Sequence, residues 1–278
     1  MFELIISSPY FYPDFLIRTN IEEIFDSFFN IYGRSPVTIE KQRLKRNIII
    51  IDVLKKGGDF PQIFFKRSHS SPEISLKTDS PLLYVSKYIQ QKRKLCPGFF
   101  ALHAAAIHKG GETWVLLGNT NTGKTTFVMA MIAKGFQYVT DDCIIIDLHS
   151  QKIVPYYQPL KLRKGGVDIL RQNYIPIPQL CHVYDSVFDR YIYHPQKPTI
   201  QELTVTKLFH LVRANHGFCD EQLNSFDSFQ CLIESGLICR SISQDWISCA
   251  SAFSKKGITR IKFCNFSDLL EYFLGTTC

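Results

Sequence analysis

Several features that would place this chain in a specialised class are missing from its sequence. No stretch approaches about 18 uninterrupted apolar residues, so we expect no membrane-spanning helix and no membrane partner. The N-terminus has no basic region ahead of a long apolar segment, which predicts that no secretory signal is present. The nine cysteines include no C-x-x-C pair, a pattern typical of reduced thiols. These absences favour a cytoplasmic protein.

A large excess of charge of either sign is missing as well. The sequence has 32 Lys and Arg against 25 Asp and Glu, a net charge of +7, which suits attraction for ATP or for an acidic peptide. The densest basic run, at 92–94, contains no aromatic residues, so we expect no nucleic-acid partner. His210, His216 and Cys219 fit no standard zinc spacing, and a structural role is favoured for them.

What the sequence does contain is a complete G-x-x-x-x-G-K-[ST] phosphate loop at 118–125. The apolar run 113–117 before it predicts a buried strand, and the segment 124–134 after it predicts a helix that ends at Gly135. This order turns backbone N–H groups and the helix dipole toward an anion. We therefore predict binding of a nucleoside triphosphate with Mg2+ through nine residues: Gly118, Asn119, Thr120, Asn121, Thr122, Gly123, Lys124, Thr125 and Thr126.

An Asp-Asp pair follows the phosphate loop. Lys124 is expected to reach the terminal phosphates and the Thr125 hydroxyl to ligate Mg2+. A strand predicted at 136–139 would return beside the loop through a right-handed crossover, and this brings Asp141 and Asp142 near the metal. Adjacent carboxylates on an extended chain point in opposite directions, so one would serve the metal and the other an attacking group.

A histidine precedes the loop. Two extended runs, 100–108 and 112–117, flank a glycine pair, which predicts a β-hairpin. A two-residue turn at that pair would place His103 opposite Gly118, beside the loop. A slip of one residue would turn the imidazole to the other face, where it would be an ordinary core residue.

Three blocks, at 102–107, 117–126 and 135–142, resemble the catalytic domain of HPr kinase/phosphorylase and its relatives, which is similar to that of phosphoenolpyruvate carboxykinase. Within this group the chain looks most like the shorter proteins that phosphorylate ribosomally made peptides, such as lasso-peptide precursors, on serine. The resemblance implies an α/β P-loop fold and ATP-dependent, Mg2+-dependent transfer to a Ser or Thr hydroxyl of a protein or precursor peptide.

The resemblance also implies roles for individual residues. Asp141 would be the general base on the acceptor hydroxyl, and Asp142 would help Thr125 to hold Mg2+. His103 would assist beside Asp141. Lys124 would stabilise the transferring phosphoryl group.

The chain divides near residue 100. Apolar runs before that point predict strands at 2–6, 47–53 and 62–65 and a helix at 82–94. We predict a mixed α+β region over 1–98, for substrate binding or assembly, and a P-loop kinase domain over 99–278.

The chain departs from the HPr enzymes after the Asp pair. Their Gly-rich signature has no counterpart, since 165–195 are rich in Tyr, Pro and His, so we expect no dual-function enzyme acting on HPr. Arg163 or Lys161 could supply a further cation near the leaving phosphate. Homo-oligomer formation stays open. Three alternatives are a kinase of a small hydroxylated metabolite such as free serine, a non-catalytic nucleotide-binding regulator, and a carboxykinase-like decarboxylating enzyme.

Overall fold

The computed structural model shows a mixed α/β fold built from several sheets and helices. The structure describes residues 1–8, 11–29, 48–55, 61–67, 74–77, 81–92, 94–154, 156, 158–177, 183–185, 190–196, 203–236 and 244–275. No helix within these ranges is long and apolar enough to cross a membrane.

The chain forms two compact units, Met1–Pro97 with Tyr184–Ile192, and Gly98–Val183 with Tyr193–Cys278. The sequence prediction divided the chain into 1–98 and 99–278, one residue from the first of these boundaries. That 184–192 belong to the first unit was not predicted. A division based on turn-forming residues along the sequence assumes that each unit is one continuous segment.

The first unit is a sheet of order β1-β2-β3-β4-β5 with β6 pairing with β2. Its elements are β1 Phe2–Ser8, β2 Phe11–Thr19, α1 Glu22–Phe28, β3 Ile49–Leu54, β4 Gln62–Arg67, β5 Ile74–Lys77, α2 Pro81–Lys92 and β6 Lys94–Leu95. The predicted strands at 2–6 and 62–65 are confirmed; residue 47 of the third predicted strand lies outside the described residues, and 49–53 are confirmed. The helix predicted at 82–94 is confirmed over 82–92, but its end was wrong, because Lys94 pairs with Tyr12 of β2 and belongs to β6.

The core of the first unit follows from the period-two pattern of its strands. Alternate apolar side chains of β1 to β4 pack with α1 and α2, through residues such as Phe28 and Ile89. On β2 and β3, Arg18 lies directly opposite Asp52 and binds it with two hydrogen bonds of 2.6 and 2.7 Å. This two-pronged pair neutralises a carboxylate that is only 8% exposed.

The rest of the chain contains seventeen further elements among the described residues. They are β7 Phe99–Leu102, β8 Ala104–Lys109, β9 Glu112–Leu117, α3 Lys124–Ala133, β10 Gln137–Thr140, β11 Ile144–Asp147, β12 Ile153–Val154, β13 Leu160–Leu162, α4 Lys164–Gln172, β14 Val183–Asp185, β15 Arg190–Tyr193, β16 Lys207–Arg213, β17 Phe218–Gln222, α5 Ser225–Glu234, α6 Gln244–Ser254, β18 Thr259–Phe263 and α7 Phe266–Gly275.

The central sheet of the second unit has the order β10-β8-β9-β16-β18-β17. Strands β9, β16 and β18 run parallel to one another. On one face, Val115 and Leu117 of β9 join a core with α5 and α6. On the other face, Trp114 stacks near Phe273 of α7, which in turn contacts Phe127 of α3. Both faces are therefore covered, as is usual for a sheet with parallel strands.

The β8-β9 hairpin confirms the predicted register. Ala104 pairs with Leu117 and Lys109 with Glu112, so the turn is formed by Gly110 and Gly111. The predicted single run 100–108 is instead two strands, because β7 pairs with β11 in a separate sheet. The chain changes sheets at His103, and the imidazole therefore lies at the end of the hairpin rather than within a strand.

The strand predicted at 136–139 is β10, and β8 lies between it and β9 in the sheet. Because β10 and β9 are both antiparallel to β8, they run parallel to each other, and both end at the edge of the sheet that carries the phosphate loop. Helix α3 connects them and ends in a Schellman motif: Gly135 N–H donates to the Ile132 carbonyl and Phe136 N–H to the Met131 carbonyl. Gly135 has φ of +86° and is the predicted helix stop.

Candidate active site

The phosphate loop joins β9 to α3 and is closely packed. Gly118 has φ of +146°, and a Cβ there would lie 2.7 Å from the Leu211 carbonyl oxygen, so this position requires glycine. Gly123, the N-cap residue of α3, has φ of +98°. The Thr122 hydroxyl donates to the Asn119 carbonyl over 2.9 Å and closes the loop on itself. Since N–H groups in the first turn of a helix lack intrahelical acceptors, those of α3 are available to an anion.

The Lys124 side chain is buried against this loop. Its Nζ donates to the carbonyl oxygens of Gly118 (2.6 Å) and Asn119 (3.1 Å) and lies 3.3 Å from Nε2 of His103. Burial lowers the pKa of Lys124, and the two carboxylates of the Asp pair act in the opposite direction. A negatively charged ligand here would further offset the desolvation of the ammonium.

His103 lies beside the loop, in the position that the hairpin register predicted. Its Nδ1 is 3.1 Å from the Asp142 carbonyl oxygen. A carbonyl only accepts, so Nδ1 carries the proton and Nε2 is free to accept from the Lys124 ammonium. The backbone N–H of His103 donates to the Ser235 carbonyl over 2.6 Å. The ring was expected beside Asp141; its hydrogen bonds instead join Lys124 to the backbone of Asp142.

Asp141 is the most buried charged group of the site, with 1% of its surface exposed. Its Oδ2 accepts a 2.7 Å hydrogen bond from the Thr125 hydroxyl. Burial raises the pKa of Asp141 to about 7; the charge of Asp142 acts in the same direction, and the Thr125 hydrogen bond opposes it. Within the described part of the chain, Oδ1 of Asp141 is buried without a hydrogen-bond partner. Such an atom marks a position where a ligand or ion would be stabilised.

Asp142 occupies a different environment. It is half-buried, has φ of +63°, and its carbonyl accepts from His103. We expected Asp142 to share the metal with Thr125, but the Thr125 hydroxyl pairs with Asp141. The physical reason is that β10 ends at Thr140 and the positive φ turns the chain, so the alternation of an extended strand does not apply to the pair.

The donor set fits Mg2+. Among the described residues there is no group of three or more His, Cys, Asp or Glu that could hold a metal ion. Mg2+ commonly takes only one or two protein oxygens and completes its shell with phosphate and water. The Thr125 hydroxyl and the unpaired Oδ1 of Asp141 are hard oxygen donors of that kind.

The raised pKa of Asp141 predicts a pH dependence of stability in the absence of nucleotide. An unfolded aspartate has a pKa of about 3.9. Because the folded pKa is raised, this group's contribution to stability is complete below about pH 4 and is lost as the pH rises through about 7. The Asp141→Asn variant has no such titration, so its Tm relative to wild type should increase from about pH 5 to about pH 8.

Thermal melts of both proteins across that pH range check this expectation. Asp245→Asn, at an exposed position in α6, is the control and should show no trend. A Tm difference between Asp141→Asn and wild type that stays constant with pH would contradict it.

Other predicted residues lie apart from this chemistry. Among the described residues, no hydrogen bond or ion pair joins Lys161 or Arg163 to the loop; Arg163 is the exposed N-cap residue of α4. Thr126 is buried against α4, where a Cβ on Gly166 would lie 2.7 Å from its hydroxyl.

The sequence analysis missed His210 as a neighbour of the loop. Strand β16 pairs with β9 although it lies about 90 residues further along the chain, and no local pattern signals that pairing.

No protein-family model matches the sequence, and no curated protein matches it. Among solved structures, the HPr(Ser) kinase/phosphatase from Coxiella burnetii is similar over 64% of this chain and 95% of that chain, with 14% sequence identity and a TM-score of 0.32.

Proposed function

We propose that this chain is an ATP-dependent kinase that transfers the γ-phosphoryl group to a Ser or Thr hydroxyl of a protein or precursor peptide in the cytoplasm. One observation carries the proposal. A phosphate-loop lysine, a Thr125–Asp141 hydrogen bond of 2.7 Å and a second, accessible carboxylate on Asp142 converge on one loop. Phosphoryl transfer depends on positioning and charge neutralisation more than on covalent chemistry, so this set is sufficient.

The loop and Lys124 would bind the phosphates. Lys124 already has its ammonium on the loop, where carbonyl oxygens of Gly118 and Asn119 hold it. We expect the N–H groups of this ammonium to donate to phosphate oxygens instead when the nucleotide binds. The Nε2 atom of His103 accepts from the same ammonium and keeps it oriented. His103 is therefore a positioning residue in this proposal.

Thr125 and Asp141 would hold Mg2+. When bound, the ion would neutralise charge on the terminal phosphates. Asp141 suits this role because it is buried, pairs with the Thr125 hydroxyl and has an unpaired Oδ1. This assignment exchanges the two carboxylates relative to the roles that the family resemblance implies.

Asp142 would then serve the acceptor. It is the more accessible carboxylate of the pair, and its main chain is fixed by His103. The acceptor oxygen forms a bond to the γ-phosphorus while the bond from that phosphorus to the leaving oxygen of ADP breaks. The hydroxyl proton goes to the Asp142 carboxylate. A nucleotide-binding regulator would have no use for this second carboxylate.

The experiment is a transfer assay with purified protein, MgATP, a Ser/Thr peptide library and free serine. We expect mass spectrometry to show the gain of one phosphoryl group on peptides and none on serine. Phosphorylation of serine alone would make the chain a small-molecule kinase. Nucleotide binding without transfer to any acceptor would make it a regulator, and either result would overturn the proposal.

A further inference from the structure

A row of paired side chains crosses the sheet beside the phosphate loop. Leu117, the last residue of β9, lies directly opposite His210 of β16, and His210 lies opposite Arg260 of β18. Directly paired residues of neighbouring strands project to the same face. His210 and Arg260 are therefore one and two strand spacings from β9, roughly 5 and 10 Å. They are level with the carboxyl end of β9, with His210 at the middle of β16 and Arg260 at the second residue of β18.

Arg260 is held at both sides of its guanidinium. Its Nε is 3.4 Å from Nδ1 of His210, and its Nη1 donates to Oε1 of Glu221 over 3.1 Å. The same Glu221 oxygen is 3.2 Å from Nζ of Lys262. One carboxylate thus faces two cations, and a positive charge remains. Within the described part of the chain, these contacts use two of the five guanidinium N–H groups.

His210 lies within electrostatic range of both Arg260 and Lys124. Burial lowers the pKa of His210, the charges of Arg260 and Lys124 act in the same direction, and Glu234 opposes them. A guanidinium only donates, so Nδ1 of His210 is the acceptor and the neutral ring carries its proton on Nε2. The row therefore offers an N–H donor on His210 beside the guanidinium of Arg260.

We propose that His210 and Arg260 bind an acidic group of the acceptor, so that this chain selects Ser or Thr hydroxyls flanked by a carboxylate or a phosphate. This inference rests on the proposed function. At two strand spacings from β9, Arg260 is too far across the sheet to serve a phosphate seated within the loop, and an anion on the acceptor suits that distance. The guanidinium is pre-positioned by Glu221 and His210, which lowers the entropic cost of binding such a group.

The test uses a peptide library with Ser or Thr at the centre and Asp or Asn at each flanking position. Wild type should show a lower KM for the Asp peptides. Arg260→Gln should raise that KM by about tenfold, the effect of one charged hydrogen bond. The KM for Asn peptides, kcat, and the affinities for ATP and ADP should change little. Arg260→Lys keeps the positive charge but lacks the planar guanidinium, so it should recover part of the preference for Asp peptides.

Lys207→Gln is the matched control. Lys207 is the first residue of β16 and pairs with Glu112 over 2.9 Å, as Arg260 pairs with Glu221. The Lys207→Gln variant should keep the wild-type preference for Asp peptides. Thermal melts report folding, and His210→Gln repeats the measurement if Arg260→Gln is unfolded.

The outcomes separate the two proposals. Equal effects of Arg260→Gln on Asp and Asn peptides, or no Asp preference in wild type, would overturn the acceptor inference alone. A loss of ATP affinity relative to ADP would show that the anion is the terminal phosphate and would overturn it too. Wild type that phosphorylates no peptide would instead overturn the proposed function.

Discussion

Replacing Lys124 with alanine should lower kcat by about 10²- to 10³-fold, the loss typical of removing one preorganised charge from a transfer site. The same change should weaken MgATP binding by about tenfold, because a charged hydrogen bond to phosphate is lost. Both effects are expected since Nζ lies against the carbonyls of Gly118 and Asn119 and is desolvated there, so that a bound phosphate would offset the cost of burying its charge. Isothermal titration and a coupled ADP assay would measure them.

Lys134→Ala provides the control for that experiment. Lys134 is the exposed C-cap residue of the same helix, so its loss should alter neither quantity. Lys124→Ala should still fold, because truncation removes a buried ammonium whose desolvation is unfavourable. Full transfer activity in a folded Lys124→Ala protein would show that the phosphate loop does not serve catalysis.

The two aspartates should respond differently to amidation. Asp141→Asn should remove most of the Mg2+-dependent gain in ATP affinity, because this carboxylate pairs with the Thr125 hydroxyl and has the unpaired buried oxygen. Asp142→Asn should leave MgATP affinity within a few-fold and lower kcat by about 10²- to 10⁴-fold, the usual contribution of a general base. Titrations with and without Mg2+, combined with single-turnover transfer, separate binding from chemistry.

The reverse pattern would restore the assignment that the family resemblance implies. In that case Asp141→Asn would keep MgATP affinity and lose turnover. Asp227→Asn is the control, since Asp227 lies in the first turn of α5 and accepts from the Asn224 side chain on the surface. Equal losses in both site variants would show that the pair acts as a single metal-binding unit.

The phosphate loop and its flanking elements could be read from the sequence because their signals are local. The run before Gly118, the Gly-Lys-Thr start of α3 and the stop at Gly135 each depend on residues within a few positions. The hairpin that positions His103 was also local, because a glycine pair fixes the register of the strands on either side.

Which of Asp141 and Asp142 contacts Thr125 could not be predicted from such local signals. The prediction assumed an extended chain, whereas β10 ends one residue before Asp141 and Asp142 has a positive φ. That turn directs Asp141 to Thr125, and only the packing around it fixes the conformation. The contact of His103 with the Asp142 carbonyl arises from the same turn.

The sequence by itself determined that a strand, a phosphate loop and a helix would form a binding site for an anion, since glycine conformation, helix capping and strand periodicity are properties of neighbouring residues. The tertiary structure alone decided which carboxylate meets Thr125 and that His210 and Arg260 line up across the sheet with the last residue of β9. Those contacts join residues far apart in the chain through sheet pairing and turn geometry, and their register is set by packing of the whole unit rather than by local pattern.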